Sequence, residues 1–175
     1  VFYVVHHIIV KTALFLVAGL VARRSGSSRL SEVGGLVRTA PAIAILFAVP
    51  ALSLAGLPPF SGFLAKFTLV DAGLGATEWI GVAASLAVGL LTMYSMTKIW
   101  AGVFWGVRRD EPRHEPRRDG RLGSPAAMLG ATGALALASI AVSLWAGTLY
   151  DVSERAADDL LERDGYISVV LEARP

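Results

Sequence analysis

The stretch LSLAGLPPFSGFLAK, residues 52–66, decides how this chain folds. Except for its last residue, Lys66, it lies in an uncharged, mostly apolar run over residues 40–65, which is long enough to cross a bilayer as helix. Helix cannot continue through Pro58 and Pro59, because neither residue has an N–H group and the first ring restricts the residue before it. The sequence therefore predicts one apolar span, about residues 40–70, that is discontinuous at Gly56, Leu57, Pro58, Pro59, Ser61 and Gly62.

The composition of the whole chain agrees with a membrane location. The 175 residues are 54% hydrophobic and 17% charged, and the mean hydropathy is +0.59. Two further uncharged runs, Trp79–Thr97 and Leu122–Tyr150, can each cross about 30 Å of hydrocarbon. A water-soluble enzyme is excluded, and the expected fold class is all-α: a polytopic membrane helix bundle with a discontinuous transmembrane helix.

Four membrane spans are predicted, at about residues 1–22, 40–70, 79–107 and 122–150, within a membrane domain of residues 1–150. Residues 151–175 are expected to form an extramembrane tail. Within that tail Val152, Ala156 and Leu160 recur at helical spacing among acidic residues, which predicts a short amphipathic helix. Since the chain begins at Val1 inside an apolar stretch, we expect it to be a fragment of a longer protein.

Basic residues set the expected orientation. If the broken span crosses once, residues 23–38 and 108–121, with four and six arginines, lie on the same side of the membrane. The opposite side then receives residues 71–78, which contain no lysine or arginine, and the acidic tail. The positive-inside rule favours this arrangement over two crossings and predicts that the Arg-rich loops are cytoplasmic and the tail is on the other side.

Several chemistries are excluded or unsupported. The chain contains no cysteine, so thiolate metal sites, iron–sulfur clusters and thiol nucleophiles are impossible. No phosphate-binding glycine loop, nucleophile elbow or histidine-rich metal spacing is present. The arginines lie between apolar runs or in the tail, which gives nucleic-acid binding little support. We expect no cofactor, no metal site and no nucleic-acid partner.

Ionisable residues inside the first span are the first candidates for function. Tyr3, His7 and Lys11 are spaced four residues apart, so they share one helical face near the membrane interior. An imidazole and a desolvated ammonium can approach similar proton affinities, and such a pair can exchange a proton. His6 points about 100° away from this face, and packing or an interhelical hydrogen bond is as plausible for it as a transport role.

Lys66 is the candidate beside the break. The free carbonyls that end the preceding half-helix, around Leu54 to Leu57, favour an ammonium there, while the N-terminus of its own helix opposes it. A charge held between opposing dipoles is easily switched. Lys98 lies near Trp100 and Trp105, so snorkelling toward an aromatic belt explains it better, and it is only a secondary candidate.

These segments resemble a known family when taken in order: HHIIVKTALFLVAGL (6–20), SEVGGL (31–36), LSLAGLPPFSGFLAKF (52–67) and LLTMYSMTKIW (90–100), followed by FWG (104–106). They are similar to the C-terminal part of the proton-conducting antiporter subunits found in multisubunit cation/proton antiporters and in respiratory complex I. The likeness runs from Val1 to about Trp105. Within the family it is greatest to the D-type subunits of Mrp-type sodium/proton antiporters, and GYISVVL (165–171) also fits that type.

The resemblance implies two inverted repeats, each with a discontinuous helix, around a central hydrated line of charged residues. This chain would supply the last four of fourteen membrane helices. By position, His7 and Lys11 match the central histidine and lysine of the proton relay, and Lys66 matches the lysine or glutamate of the second broken helix. Tyr3 stands where some relatives carry another histidine, so Tyr3 is only a secondary candidate for a third relay member.

Both lines of argument lead to the same expected function. We expect a non-enzymatic transporter subunit of the cell membrane that moves protons in exchange for Na⁺ or K⁺ and assembles with other membrane subunits in the lipid bilayer. The alternative is a proton-pumping subunit of complex I or of a membrane-bound hydrogenase. The acidic and basic residues of the first repeat are absent, so the chain alone is not expected to transport.

Overall fold

In a computed structural model, residues 1–107 and 125–161 are described, and they are helical with short connections. The helices are α1 (Phe2–Ser25), α2 (Leu36–Thr39), α3 (Pro41–Ala55), α4 (Ser61–Gly75), α5 (Trp79–Trp100), α6 (Pro125–Leu144) and α7 (Ala146–Leu161). A π-helical turn, Ala101–Trp105, extends α5. No strand occurs within the two described ranges. The predicted all-α fold class is confirmed.

Three of the helices are long and apolar enough to cross a membrane: Phe2–Ser25, Trp79–Trp105 and Ala126–Leu144. α3 is also apolar but has only 15 residues, and α4 has the same length. A helix of that length spans about 22 Å, which is short of the hydrocarbon thickness. α3 and α4 would each need the other to complete a crossing, as the discontinuous span requires.

Side-chain clusters establish the direction of the helices. Leu20, near the end of α1, shares one apolar cluster with Phe47 in the first half of α3 and Phe104 at the end of α5. Phe2, at the start of α1, clusters instead with Ala65 of α4 and Ala146 of α7. α3 and then α4 therefore run in one direction, antiparallel to α1.

The remaining two membrane helices, α5 and α6, run in opposite directions. A side-chain carbon at Gly89 of α5 would lie beside Lys66 of α4, and one at Gly19 of α1 would meet Met128 at the start of α6. α5 thus runs parallel to α1, and α6 runs antiparallel to both. The ends of α1 and α5 and the start of α6 lie at the same end of the bundle.

The break itself is shorter than predicted. α3 ends at Ala55 and α4 begins at Ser61, so Ser61 and Gly62 belong to the first turn of α4 and not to the break. The extended backbone of Phe60 starts the new helix, and its carbonyl accepts from the Phe63 N–H at 3.0 Å. The first N–H groups of any helix have no helical acceptor, so α4 can begin immediately after the prolines.

The last predicted span, residues 122–150, is divided between two helices in the described structure. α6 stops at Leu144, and Tyr150 belongs to α7, which contains the predicted amphipathic segment. Helical hydrogen bonds continue on either side of the single residue Trp145, so apolar composition alone does not reveal this boundary. The predicted loop 108–121 and tail residues 162–175, including GYISVVL, lie outside the described residues.

Candidate functional site

The candidate site is built at the C-terminal end of α3. Gly56 adopts a left-handed conformation, φ 82° and ψ 38°, which residues with a side chain rarely tolerate. Its N–H donates to the Ser53 carbonyl at 3.0 Å. The carbonyls of the last helical turn concentrate partial negative charge at this point.

Lys66 occupies that negative end. Its Nζ donates a hydrogen bond of 2.9 Å to the Ala55 carbonyl, which belongs to the stretch that the sequence indicated. Gly56 and Gly89 flank the lysine: a Cβ at either position would lie 3.2 Å or 3.4 Å from Nζ. The side chain is half-buried. α4, α3 and α5 therefore meet at a single ammonium.

A second polar contact crosses the break at a different point. His6 Nδ1 lies 2.9 Å from the Ser61 hydroxyl, and Ser61 lies 3.2 Å from the Ser53 hydroxyl. All three side chains are buried, with exposures of 3%, 0% and 0% for His6, Ser53 and Ser61. This hydrogen-bonded triad ties α1 to both half-helices.

Gly62 allows the half-helices to approach so closely. A Cβ at this position would overlap the Ser53 carbonyl and would come within 3.0 Å of His6 Nε2. Small residues at such contacts are the usual means by which membrane helices pack backbone against backbone. The Ser61 and Ser53 hydroxyls meet because of this approach.

His7 and Tyr3 lie beside His6 of the triad, on α1. Their rings stack with centroids 5.4 Å apart and an interplanar angle of 22°. His7 Nδ1 is buried and has no hydrogen-bond partner among the residues that the structure describes. Lys11 follows His7 by one helical turn, so the two residues share one face of α1.

The other two predicted lysines are not at the break. Lys11 is exposed and borders a groove of about 320 Å³ between α1, the following loop and α5. Lys98 is exposed near the end of α5, nine positions beyond Gly89. In the described ranges, no three histidine, aspartate or glutamate side chains converge on a possible metal position.

Sequence reasoning did not identify Ser53 and gave His6 only secondary rank. A signal was nevertheless present, because Ser53 and Ser61 are the only side chains in the uncharged run 40–65 that carry a polar group. Lone hydroxyls in an apolar segment that flanks a helix break need partners. His6 could not be ranked above His7 from spacing alone, since the rotation of α1 depends on its neighbours.

Replacing Ser61 with alanine is expected to destabilise the protein by about 1–3 kcal/mol, because the buried His6 Nδ1 and Ser53 hydroxyl lose their shared partner. Thermal unfolding of the detergent-solubilised protein measures this loss. Ser139→Ala is the matched control: Ser139 is 1% exposed, and its hydroxyl has no partner within the described part of the chain. Equal destabilisation by both changes would contradict a structural role for the triad.

Comparisons with known proteins identify the family. The family model described as "NADH:quinone oxidoreductase/Mrp antiporter, TM" matches residues 1–92. Over 172 residues the chain is 40% identical to the D-type subunit of the Na(+)/H(+) antiporter of Alkalihalophilus pseudofirmus and 32% identical to that of Bacillus subtilis. Each alignment covers 98% of this chain and 34% of the relative, so the chain spans about a third of the length of these relatives.

A solved structure agrees. The fold is similar to a chain in the structure of the Mrp complex from Dietzia sp., with a TM-score of 0.81 and 34% sequence identity. The similarity covers 97% of this chain and 39% of that one. With the family model matching more than half of its residues, this chain belongs to the NADH:quinone oxidoreductase/Mrp antiporter family of membrane proteins.

Proposed function

We propose that the chain is the C-terminal part of a subunit that exchanges protons for a monovalent cation across the cell membrane. The observation that carries this proposal is the Lys66 ammonium on the Ala55 carbonyl, in the middle of a broken apolar helix. Ionisable side chains within membrane spans are costly and mark ion or proton pathways. Two relatives that the chain matches over 98% of its length are named as Na(+)/H(+) antiporter subunits of the D type.

The proton pathway consists of His7, Lys11 and Lys66. Lys11 lies at the groove beside α5, and His7 precedes it by one helical turn on α1. Lys66 receives the proton at the break. His6, Tyr3 and the two serines hold these groups in place, and Lys98 takes no part. No covalent chemistry or cofactor is required, so the subunit is a transporter component and not an enzyme.

The proposed topology has four crossings, with α3 and α4 together forming the second. The helix directions place the C-terminal ends of α1 and α5 at one end of the bundle, which supports a shared side for loops 23–38 and 108–121. We propose that this side is cytoplasmic, because these loops carry four and six arginines. The C-terminal tail then lies on the opposite side.

Other membrane subunits and lipid are the proposed partners. Much of α5 is exposed, including Leu86, Leu90 and Leu91 at 56%, 66% and 65%. Such an apolar surface is suited to hydrocarbon or to a neighbouring membrane helix. Na⁺ or K⁺ is the exchanged ion, and the first repeat must come from the rest of the longer subunit.

Measuring cation/proton exchange in the absence of an electron donor distinguishes the proposed antiporter subunit from a subunit of a redox-driven proton pump. The full-length subunit and its complex are expressed in cells that lack other antiporters, and everted membrane vesicles are prepared from these cells. Addition of Na⁺ or K⁺ is expected to collapse a preformed pH gradient with no oxidisable substrate present. Proton movement that occurs only during electron transfer to quinone would instead establish the alternative, a subunit of complex I or a membrane-bound hydrogenase.

A further inference from the structure

Two backbone carbonyls at the end of α3 have no helical donor. In a continuous α-helix the carbonyls of Leu54 and Ala55 would accept from the N–H groups four residues later. Those positions are Pro58 and Pro59, which have no N–H. The paired prolines therefore do more than end the helix: they leave two adjacent oxygens available at its negative end.

Lys66 takes one of these oxygens and sits in a space that glycines keep open. Its Nζ donates to the Ala55 carbonyl at 2.9 Å. A Cβ at Gly56 would approach Nζ to 3.2 Å and Cδ to 2.7 Å, so a side chain there would crowd the lysine, whereas a Cβ at Gly89 would lie in van der Waals contact with Nζ at 3.4 Å. The site consequently accommodates a compact unit positive charge beside oxygen ligands that are otherwise without a helical partner.

A dehydrated alkali-metal ion has the same charge and also binds carbonyl oxygens. Unwound carbonyls and half-helix C-terminal ends are a recurring way to bind Na⁺ in membrane transporters. We propose that the Leu54 and Ala55 carbonyls form a binding site for Na⁺ or K⁺, and that the cation and the Lys66 ammonium exclude each other from it.

This inference rests on the proposed function and gives it a means of coupling. When the Lys66 ammonium loses a proton to water or to a neutral imidazole of α1, its N–H bond breaks and the lysine becomes neutral. The metal cation then replaces the ammonium at the carbonyls, and the local charge is restored. Reprotonation of Lys66 expels the cation, so one proton and one cation alternate at the same oxygens.

Few other titratable groups surround Lys66. α3 and the described part of α6 contain none. Those on the remaining neighbouring helices are Tyr3, His6, His7, Lys11, Arg23 and Arg24 on α1, Asp71 on α4, and Tyr94 and Lys98 on α5. Because these groups also respond to pH, the test compares Lys66 variants at each pH and does not rely on the pH dependence of the wild type alone.

The experiment measures equilibrium binding of radioactive Na⁺ to the full-length subunit in its purified complex, at about pH 7 and about pH 9. In the wild type, competition with one proton is expected to change the apparent Kd by up to about tenfold per pH unit. Lys66→Met is expected to bind Na⁺ at both pH values with the higher affinity that the wild type shows at about pH 9. Lys66→Arg, which stays charged, is expected to bind Na⁺ at least about tenfold more weakly than Lys66→Met at both pH values. Lys98→Met should behave like the wild type.

The two variants move Na⁺ affinity in opposite directions, so general damage to the fold cannot imitate the result. If both variants bind Na⁺ with the wild-type affinity and pH dependence, the shared site is wrong. Loss of Na⁺ binding in Lys66→Met also overturns it, provided that the thermal unfolding of the variant matches the wild type. Either result can occur while the wild-type complex still exchanges cations for protons, and the proposed function would then stand without this site.

Discussion

Replacing Lys66 with methionine in the full-length subunit is expected to reduce cation-dependent proton exchange by about tenfold or more, which corresponds to at least about 1.4 kcal/mol. Methionine keeps much of the length and flexibility of the side chain but removes the only charge that contacts the end of α3 in the described structure. The half-helix carbonyls would then have no proton-carrying group. Collapse of a pH gradient on addition of Na⁺, measured in everted vesicles, tests the prediction.

Lys98→Met is the matched control, because Lys98 is also a lysine in an apolar helix but is exposed near the end of α5. Its exchange rate is expected to remain close to that of the wild type. Exchange that persists at full rate in Lys66→Met, with normal amounts of the protein in the membrane, would support a purely structural scaffold. That result would remove Lys66 from the pathway.

Gly62→Ala is expected to have the largest effect on folding, destabilising the protein by about 3 kcal/mol or more. The added methyl group would overlap the backbone carbonyl of Ser53 and press on His6. A carbonyl cannot move aside as the end of a flexible side chain can, so α4 would have to separate from α3. Thermal unfolding in detergent and the amount of folded protein recovered from membranes measure the loss.

Gly130→Ala is the control for this change. Gly130 lies within α6, and a Cβ there meets no atom of the described structure within 4 Å. Alanine is more favourable than glycine inside a helix by up to about 1 kcal/mol, so this variant is expected to be neutral or slightly stabilised. Similar losses in both variants would show that the contact between Gly62 and Ser53 is not tight.

The candidate site was only partly predictable. Lys66 followed from its position beside the prolines, and its carbonyl partner followed from the polarity of a helix end. The triad did not follow, because which of two adjacent histidines enters the interior depends on how α1 is rotated against α3 and α4. The position of Lys11 was also unpredictable: residue spacing placed it on the face of His7, but exposure to the groove depends on how α5 packs.

The sequence by itself determined that this chain is a membrane helix bundle and that its second span is interrupted. Long uncharged runs cannot remain in water, and prolines cannot donate the hydrogen bonds that helix requires. Tertiary structure alone decided that His6, Ser61 and Ser53 meet and that the Lys66 ammonium reaches Ala55. These contacts join residues on separate helices. They depend on the close backbone approach at Gly62 and on the room that Gly56 and Gly89 leave beside the Lys66 side chain, and no local sequence pattern encodes either.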